Sequence, residues 1–264
     1  MRRVLVVGIV SAGLTVPSAA VAYAADPVPV VRTGGGVLSV RTGPGTSFDR
    51  VGTLAPGTAL TIACQASGQS IRGTVATSAG WDLLAGGGYV SHAYVAGAPP
   101  LAACPASAPQ DQTGYLTAVG PLARTWTKLS GIPASVTVAQ AILESGWGRS
   151  ALASQGRNHF GIKCLNGTGP VAIGCRDYRT SECGPGGCAS ATAGFRVYRT
   201  LADSFRDHDR FLRMNSRYAG ALAVKGDPNA FATQLQAAGY ATDPQYAAKL
   251  IGLMGEFDLY RFDR

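Results

Sequence analysis

Only three glutamates, Glu144, Glu182 and Glu256, stand beside twelve aspartates in a chain of 264 residues, which narrows where acid–base chemistry can sit. Hydrolysis of a glycosidic bond needs a carboxylic acid that still holds its proton near neutral pH. It also needs an acceptor on the other side that supports charge or activates water. Glu144 has the setting of the acid: Ile142, Leu143 and Trp147 flank it, and removal from water disfavours the ionised carboxylate. An apolar helix is expected to start at Ile132-Pro133, where proline is tolerated in the first turn, and to stop at Gly146. Glu144 then sits in the last turn, where the negative end of the helix dipole also favours the neutral acid. A solvated helix-end glutamate is the alternative that these residues alone leave open. Trp147, three positions on, would stand one helical turn away and shape the acid's pocket.

The surrounding elements divide into two kinds. From Val30 to about Val95 the chain alternates short apolar runs with Gly and Pro, giving expected strands at Val37–Val40, Val51–Leu54, Ala59–Cys64, Thr74–Val75, Trp81–Leu84 and Gly88–Val90. That spacing predicts a small antiparallel barrel, with Trp81, Tyr89 and Tyr94 as its core or as ligand contacts. Ala98-Pro-Pro100, Pro105 and Ala108-Pro-Gln110 have linker composition. After Tyr115 the period becomes helical: Leu116, Val119, Leu122 and Trp126 recur at three- and four-residue steps. Further helices are expected over Thr200–Phe211, Asn229–Ala238 and Pro244–Phe257. Cys164 to Val197 reads as Gly-rich and irregular, with short strands at Val171–Ile173 and Phe195–Tyr198. The organisation is thus a barrel over 25–97, a linker over 98–113 and a mainly α domain with a small β lobe over 114–264.

Composition sets outer limits. With 46% hydrophobic and 14% charged residues the chain is neither disordered nor a coiled coil. Its net charge of +8 comes mostly from scattered arginines with no basic run, so nucleic acid is not an expected partner, and a modestly basic surface suits an anionic envelope polymer. Arg2, Arg3, an apolar stretch from Val4 to Val16 and Ala22-Tyr-Ala24 form a signal peptide over 1–24, implying export and no integral membrane segment afterwards. Six cysteines in an exported chain are expected as disulfides, and the spacing suggests Cys64 with Cys104, Cys164 with Cys175 and Cys183 with Cys188. Three isolated histidines and no H-E-x-x-H give no support for a metal, and no cofactor is expected.

Val40-Arg-Thr-Gly-Pro-Gly-Thr-Ser47, Leu54-Ala-Pro-Gly57 and Gly88-Tyr-Val-Ser-His-Ala-Tyr-Val95 resemble the bacterial Src-homology-3-like domains of cell-wall enzymes. The resemblance implies a module that binds peptidoglycan or its peptide crosslinks. Four later segments, Thr137-Val-Ala-Gln-Ala-Ile-Leu-Glu-Ser-Gly-Trp-Gly148, Asn158-His-Phe-Gly-Ile-Lys163, Phe195-Arg-Val-Tyr198 and Gly239-Tyr-Ala-Thr-Asp-Pro-Gln-Tyr-Ala-Ala-Lys-Leu250, resemble glycoside hydrolase family 73 in order. That family implies a lysozyme-like α domain with a small β lobe and cleavage between N-acetylglucosamine and N-acetylmuramic acid. It also implies Glu144 as general acid, and Tyr240 in the cleft positioning the sugar or its acetamido group. Asn158, Phe160 and Gly161 lie beside the catalytic helix as substrate contacts, and Trp147 and Tyr246 join the substrate-binding set.

By the same resemblance the second carboxylate lies on the β lobe, where Glu182 is the only glutamate and Asp177 its rival. Glu182 departs from the family pattern because Cys183 follows it where an aromatic residue is usual. A substrate-assisted route using the acetamido oxygen stays open. Asp243, before Pro244, reads as a helix cap. A muramidase or lytic transglycosylase shares the fold type. A cell-wall cysteine peptidase would need a free cysteine, and a wall-binding protein would need no chemistry. The expected state is a monomer, secreted or associated with the cell wall.

Overall fold

A computed structural model of the chain describes residues 28–105, 108–109, 111–165, 167–184 and 187–264, with the backbone alone for 181–189. The expected signal peptide, 1–24, lies outside the described residues. Seven strands form in the first part. These are β1 (Val30–Val31), β2 (Leu38–Arg41), β3 (Arg50–Leu54), β4 (Ile62–Arg72), β5 (Thr77–Leu84), β6 (Tyr89–Ser91) and β7 (Val95–Ala96). Five of them make an antiparallel sheet in the order β3-β2-β6-β5-β4, and β1 pairs with β7 separately. Among the described residues β3 and β4 do not pair with each other, so the expected barrel is an open sheet. The strand expected at Thr74–Val75 is a turn, because β4 and β5 form one hairpin whose last pair is Arg72–Thr77. The Gly73 amide closes that turn on the Ala76 carbonyl.

The sheet docks on the helical part. Trp81, Leu83 and Tyr89 belong to the same buried cluster as Tyr115, Val119, Leu122 and Trp126, and the Trp81 indole donates to the Gln69 carbonyl at 2.9 Å. Between β5 and β6, Gly87 and Gly88 take φ of 81° and 92°, and a Cβ on Gly87 would lie 2.8 Å from the backbone at Arg124. Only glycine allows that approach without strain. The Gly88 amide therefore reaches Thr125 Oγ1 at 2.8 Å, and Lys128 reaches the Gly87 carbonyl at 2.9 Å. The segment after β7 is held at the opposite edge: Gln65 and Cys104 exchange backbone hydrogen bonds with residues 102 and 65, and Cys64 is disulfide-bonded to Cys104.

Seven helices follow: α1 (Gln112–Ser130), α2 (Ala134–Ser145), α3 (Ala151–Gly156), α4 (Leu201–Met214), α5 (Ala219–Ala223), α6 (Pro228–Ala237) and α7 (Tyr246–Glu256). The Asp111 side chain caps α1, and Gly131 and Gly146 end α1 and α2 in the left-handed conformation. Helix α2 is the centre: ten of its twelve residues are buried, and α1, α6, α7 and the C-terminal turn Leu259–Asp263 surround it. No helix among the described residues is long and apolar enough to cross a membrane.

The β lobe is a hairpin of β8 (Gly174–Gly184) and β9 (Gly187–Val197), each of eleven residues. It replaces the irregular segment expected there, and Val171–Ile173 is not a strand. A backbone ladder needs no apolar alternation, and this Gly-rich sequence has none. The root of the hairpin is tied to α4, where Asp207 Oδ2 accepts from Arg196 at 2.7 Å and from the Tyr198 hydroxyl at 2.7 Å. Cys164 and Cys175 form a second disulfide.

Candidate active site

Glu144 comes to the surface where α2 ends. Pro133 fixes the start of the helix, small residues such as Ala139 and Ala141 let neighbours close around it, and Gly146 stops it. The carboxyl group is half-buried. Its Oε1 accepts a hydrogen bond of 2.9 Å from the hydroxyl of Tyr246, the first residue of α7, and that hydroxyl accepts from Gln140 Nε2 at 2.9 Å. Gln140 is fully buried one turn before Glu144, on the same face of α2. Burial pushes the Glu144 carboxyl above the ordinary range, and the Tyr246 hydrogen bond offsets part of that rise.

Aromatic rings extend the site away from the acid. Tyr240 stacks on Tyr246 with ring centres 5.6 Å apart and planes 19° apart, and its hydroxyl donates to the Phe160 carbonyl at 3.5 Å. Burial, and next the Glu144 charge, raise the Tyr240 phenol, so it stays protonated. Phe160 is buried and stacks on His208 at 3.9 Å, with Phe205 edge-on at 4.9 Å. Burial lowers His208 to about 3, which keeps it neutral.

The expected site residues separate into two groups. Glu144, Tyr240, Tyr246 and Phe160 come together. Trp147 does not continue the helix, because Gly146 has turned the chain and Trp147 itself has φ of 62°. Its ring packs between Tyr115 and Phe257, at 5.7 and 4.8 Å, so the one-turn relation to Glu144 expected from spacing is replaced by a core contact. Asn158 is 1% exposed and spends its whole amide on backbone: Nδ2 donates to the carbonyls of Ile162 and Arg196 at 2.9 Å each, and Oδ1 accepts from the Ile162 amide at 3.1 Å and the Phe160 amide at 3.4 Å. It clasps the 158–162 loop to β9. Gly161 supplies the left-handed turn in that loop, with φ of 63°.

Glu182 lies on β8 opposite Ala189, and its side chain is outside the described residues. Asp177 is exposed on the same strand, opposite Gly194. Cys183 and Cys188 face each other in the backbone register, and among the described cysteines none is free. Asp243 accepts from the Gln245 amide at 2.8 Å just before α7 and pairs with Lys249 at 2.6 Å. Gln140 was not singled out from the sequence, although its spacing four residues before Glu144 is the signal that could have found it. A cleft of about 650 Å³ lies elsewhere, on the seam between the sheet, α1 and α4; Phe48, Leu83, Leu122, Trp126 and Arg206 line it, and none of the residues around Glu144 does.

Solved structures share this fold. The fold is similar to the catalytic domain of the autolysin Auto from Listeria monocytogenes, at 31% identity and a TM-score of 0.51, over 60% of this chain and 91% of that one. It is also similar to an N-acetylmuramoyl-L-alanine amidase from Staphylococcus aureus, at 31% identity and a TM-score of 0.50, over 57% of this chain and 43% of that one. Residues 120–259 match the glucosaminidase family, described as mannosyl-glycoprotein endo-beta-N-acetylglucosaminidase, and the chain belongs to that family. Curated relatives include the peptidoglycan hydrolase FlgJ of Pseudomonas aeruginosa, 36% identical over 56% of this chain and 37% of the relative. The exo-glucosaminidase LytG of Bacillus subtilis is 39% identical over 49% of this chain and 45% of the relative. The chain thus spans less than half the length of these curated relatives.

Proposed function

We propose that the protein is an exported peptidoglycan hydrolase that cleaves the β-1,4 bond between N-acetylglucosamine and N-acetylmuramic acid, with Glu144 as general acid. One observation carries the reading: the glutamate at the end of the buried central helix is desolvated, its carboxyl lies above the ordinary range, and a phenol is bonded to one oxygen only. An acid so placed holds a proton to give to the leaving sugar oxygen. Family membership and relatives named as a peptidoglycan hydrolase and an exo-glucosaminidase support the substrate class.

In this reading the half-buried Tyr240 ring meets the sugar or its acetamido group. Phe160 holds Tyr240 through its carbonyl, and Asn158 and Gly161 shape the loop that carries Phe160. The β8–β9 hairpin brings the second carboxylate, Glu182, to the far side of the bond, with Asp177 as its rival. If Glu182→Gln keeps nearly full activity, Asp177 or the substrate's acetamido oxygen takes that role instead. The open sheet, by its resemblance to bacterial Src-homology-3-like domains, would bind the wall beside the catalytic unit.

Digestion of purified peptidoglycan, followed by borohydride reduction and sugar analysis, tests the bond. Reduced N-acetylglucosamine is the expected product, whereas reduced muramic acid would make the protein a muramidase. No product at all would leave a wall-binding protein.

A further inference from the structure

We propose that Gln140 is a positioning residue: by donating to the Tyr246 hydroxyl it fixes that hydroxyl as a donor to Glu144 Oε1, and so places the transferable proton of the acid on Oε2. The inference rests on the reading of Glu144 as general acid.

Hydrogen-bond direction fixes where the proton sits. An amide nitrogen only donates, and a phenol has a single hydrogen. Because Gln140 Nε2 donates to the Tyr246 oxygen at 2.9 Å, the phenol hydrogen is left for Glu144 Oε1, also at 2.9 Å. In a carboxylic acid the oxygen that accepts is the carbonyl oxygen, so the proton sits on the other one. Oε2 takes no hydrogen bond from the described residues, and Glu144 keeps contact with solvent, so this proton faces the side from which a substrate can approach.

The reverse direction has a different cost. With the amide turned, Gln140 Oε1 would take the phenol hydrogen, and Glu144 would have to donate from Oε1 into the protein to satisfy the phenol oxygen. In the observed arrangement Nε2 makes one hydrogen bond and Oε1 none, in a side chain that is 0% exposed. Turning the amide would direct the acid's proton from Oε1 into the protein, away from any leaving oxygen.

The groups that could confuse a pH measurement are few. The phenols of Tyr246 on α7 and Tyr240 in the loop before it face Glu144, and both are held protonated by burial. Asp263, in the C-terminal turn that also packs on α2, binds the Ser135 amide at the opposite end of the helix. Glu182 and its rival Asp177, both on β8, are the remaining carboxylates that the proposed chemistry brings to the bond.

The test compares Gln140→Met, which keeps the length of the side chain and removes its donor, with Tyr246→Phe and the double variant. The expected result for Gln140→Met is a roughly tenfold loss in kcat with KM held within about twofold. The alkaline limb of kcat/KM should move to higher pH, because the ionised carboxylate has lost a fixed donor. Tyr246→Phe should move the limb the same way, and the double variant should be no worse than Tyr246→Phe alone, since Gln140 acts only through the hydroxyl. A merely structural Gln140 would lower Tm and leave the limb in place, and effects that add in the double variant would equally overturn the proposal. Should Gln140→Met fail to fold, an unmoved limb in Tyr246→Phe overturns it. Glu144→Gln runs alongside: if that variant keeps its activity the general-acid reading has failed, whereas if it is inactive and Gln140→Met matches the wild type, only the positioning role has failed.

Discussion

Tyr246 and Glu144 stand 102 residues apart in the chain and 2.9 Å apart at the site. Two opposing effects meet at this contact. Burial favours the neutral carboxyl, the phenol favours the ionised one, and burial is the larger. The acid is therefore held above the ordinary glutamate value of about 4.3 while it keeps contact with solvent.

The same balance has a consequence for stability. The folded-state value of Glu144 lies above the unfolded one, so its contribution is fully present below the unfolded value and is lost as pH rises through the folded value. Glu144→Gln removes that dependence. Its Tm should exceed that of the wild type by about 1–3 °C at pH 7 and match it at pH 4. Scanning calorimetry at the two pH values checks this, and equal melting at both would contradict the desolvated setting of the acid.

Asn158 separates a clasp from a sugar contact. Its amide serves four backbone groups in a buried loop, so Asn158→Ala should cost about 2–4 kcal/mol of stability. Denaturant unfolding measures the loss. A variant with unchanged stability and a raised KM would return Asn158 to the substrate-binding role that the family resemblance implies.

Two buried histidines make the fold sensitive to acid. Burial lowers His159 to about 4 and His208 to about 3, while each takes up a proton near 6.5 when unfolded. Between those values the unfolded chain binds more protons, so stability falls as pH drops, by about 1–2 kcal/mol for each histidine between pH 7 and pH 5. Urea midpoints across this range should decline, and His208→Gln should reduce the decline. A flat midpoint would contradict the neutral, buried state of both rings.

The Cys64–Cys104 bond closes a loop of 40 residues and pins the chain leading into α1 to the edge of β4. Replacing both cysteines with alanine should lower stability by about 3–4 kcal/mol through the larger freedom of the unfolded chain. Thermal melts of the double variant, and of the wild type with reductant, should agree in direction; an unchanged Tm in both would mean that the sheet edge holds without the bond.

Much of the site was legible where local chemistry decides structure. Pro133 and Gly146 bound α2 in the sequence and bound it in the fold, and that alone puts Glu144 at a helix end. Local spacing failed one residue later: Trp147 lies beyond a left-handed glycine, so counting three positions as a helical turn no longer applied. The β8–β9 hairpin was missed because its ladder is made by backbone groups in a sequence without alternation. Closure of the sheet was not legible either, since short punctuated strands specify neither which edges meet nor whether they meet. Gln140 sits inside a motif that the sequence already displayed, yet its meaning depends on Tyr246 arriving from α7, a contact that only tertiary packing supplies.

The role of Glu144 is tested by the turnover of purified peptidoglycan by folded Glu144→Gln protein beside the wild type, with released fragments identified by mass spectrometry. Fragments ending in N-acetylglucosamine are expected from the wild type, and a rate lower by about 10²–10⁴-fold in the variant. A variant rate within tenfold of the wild type, with the same fragments, would contradict Glu144 as the acid.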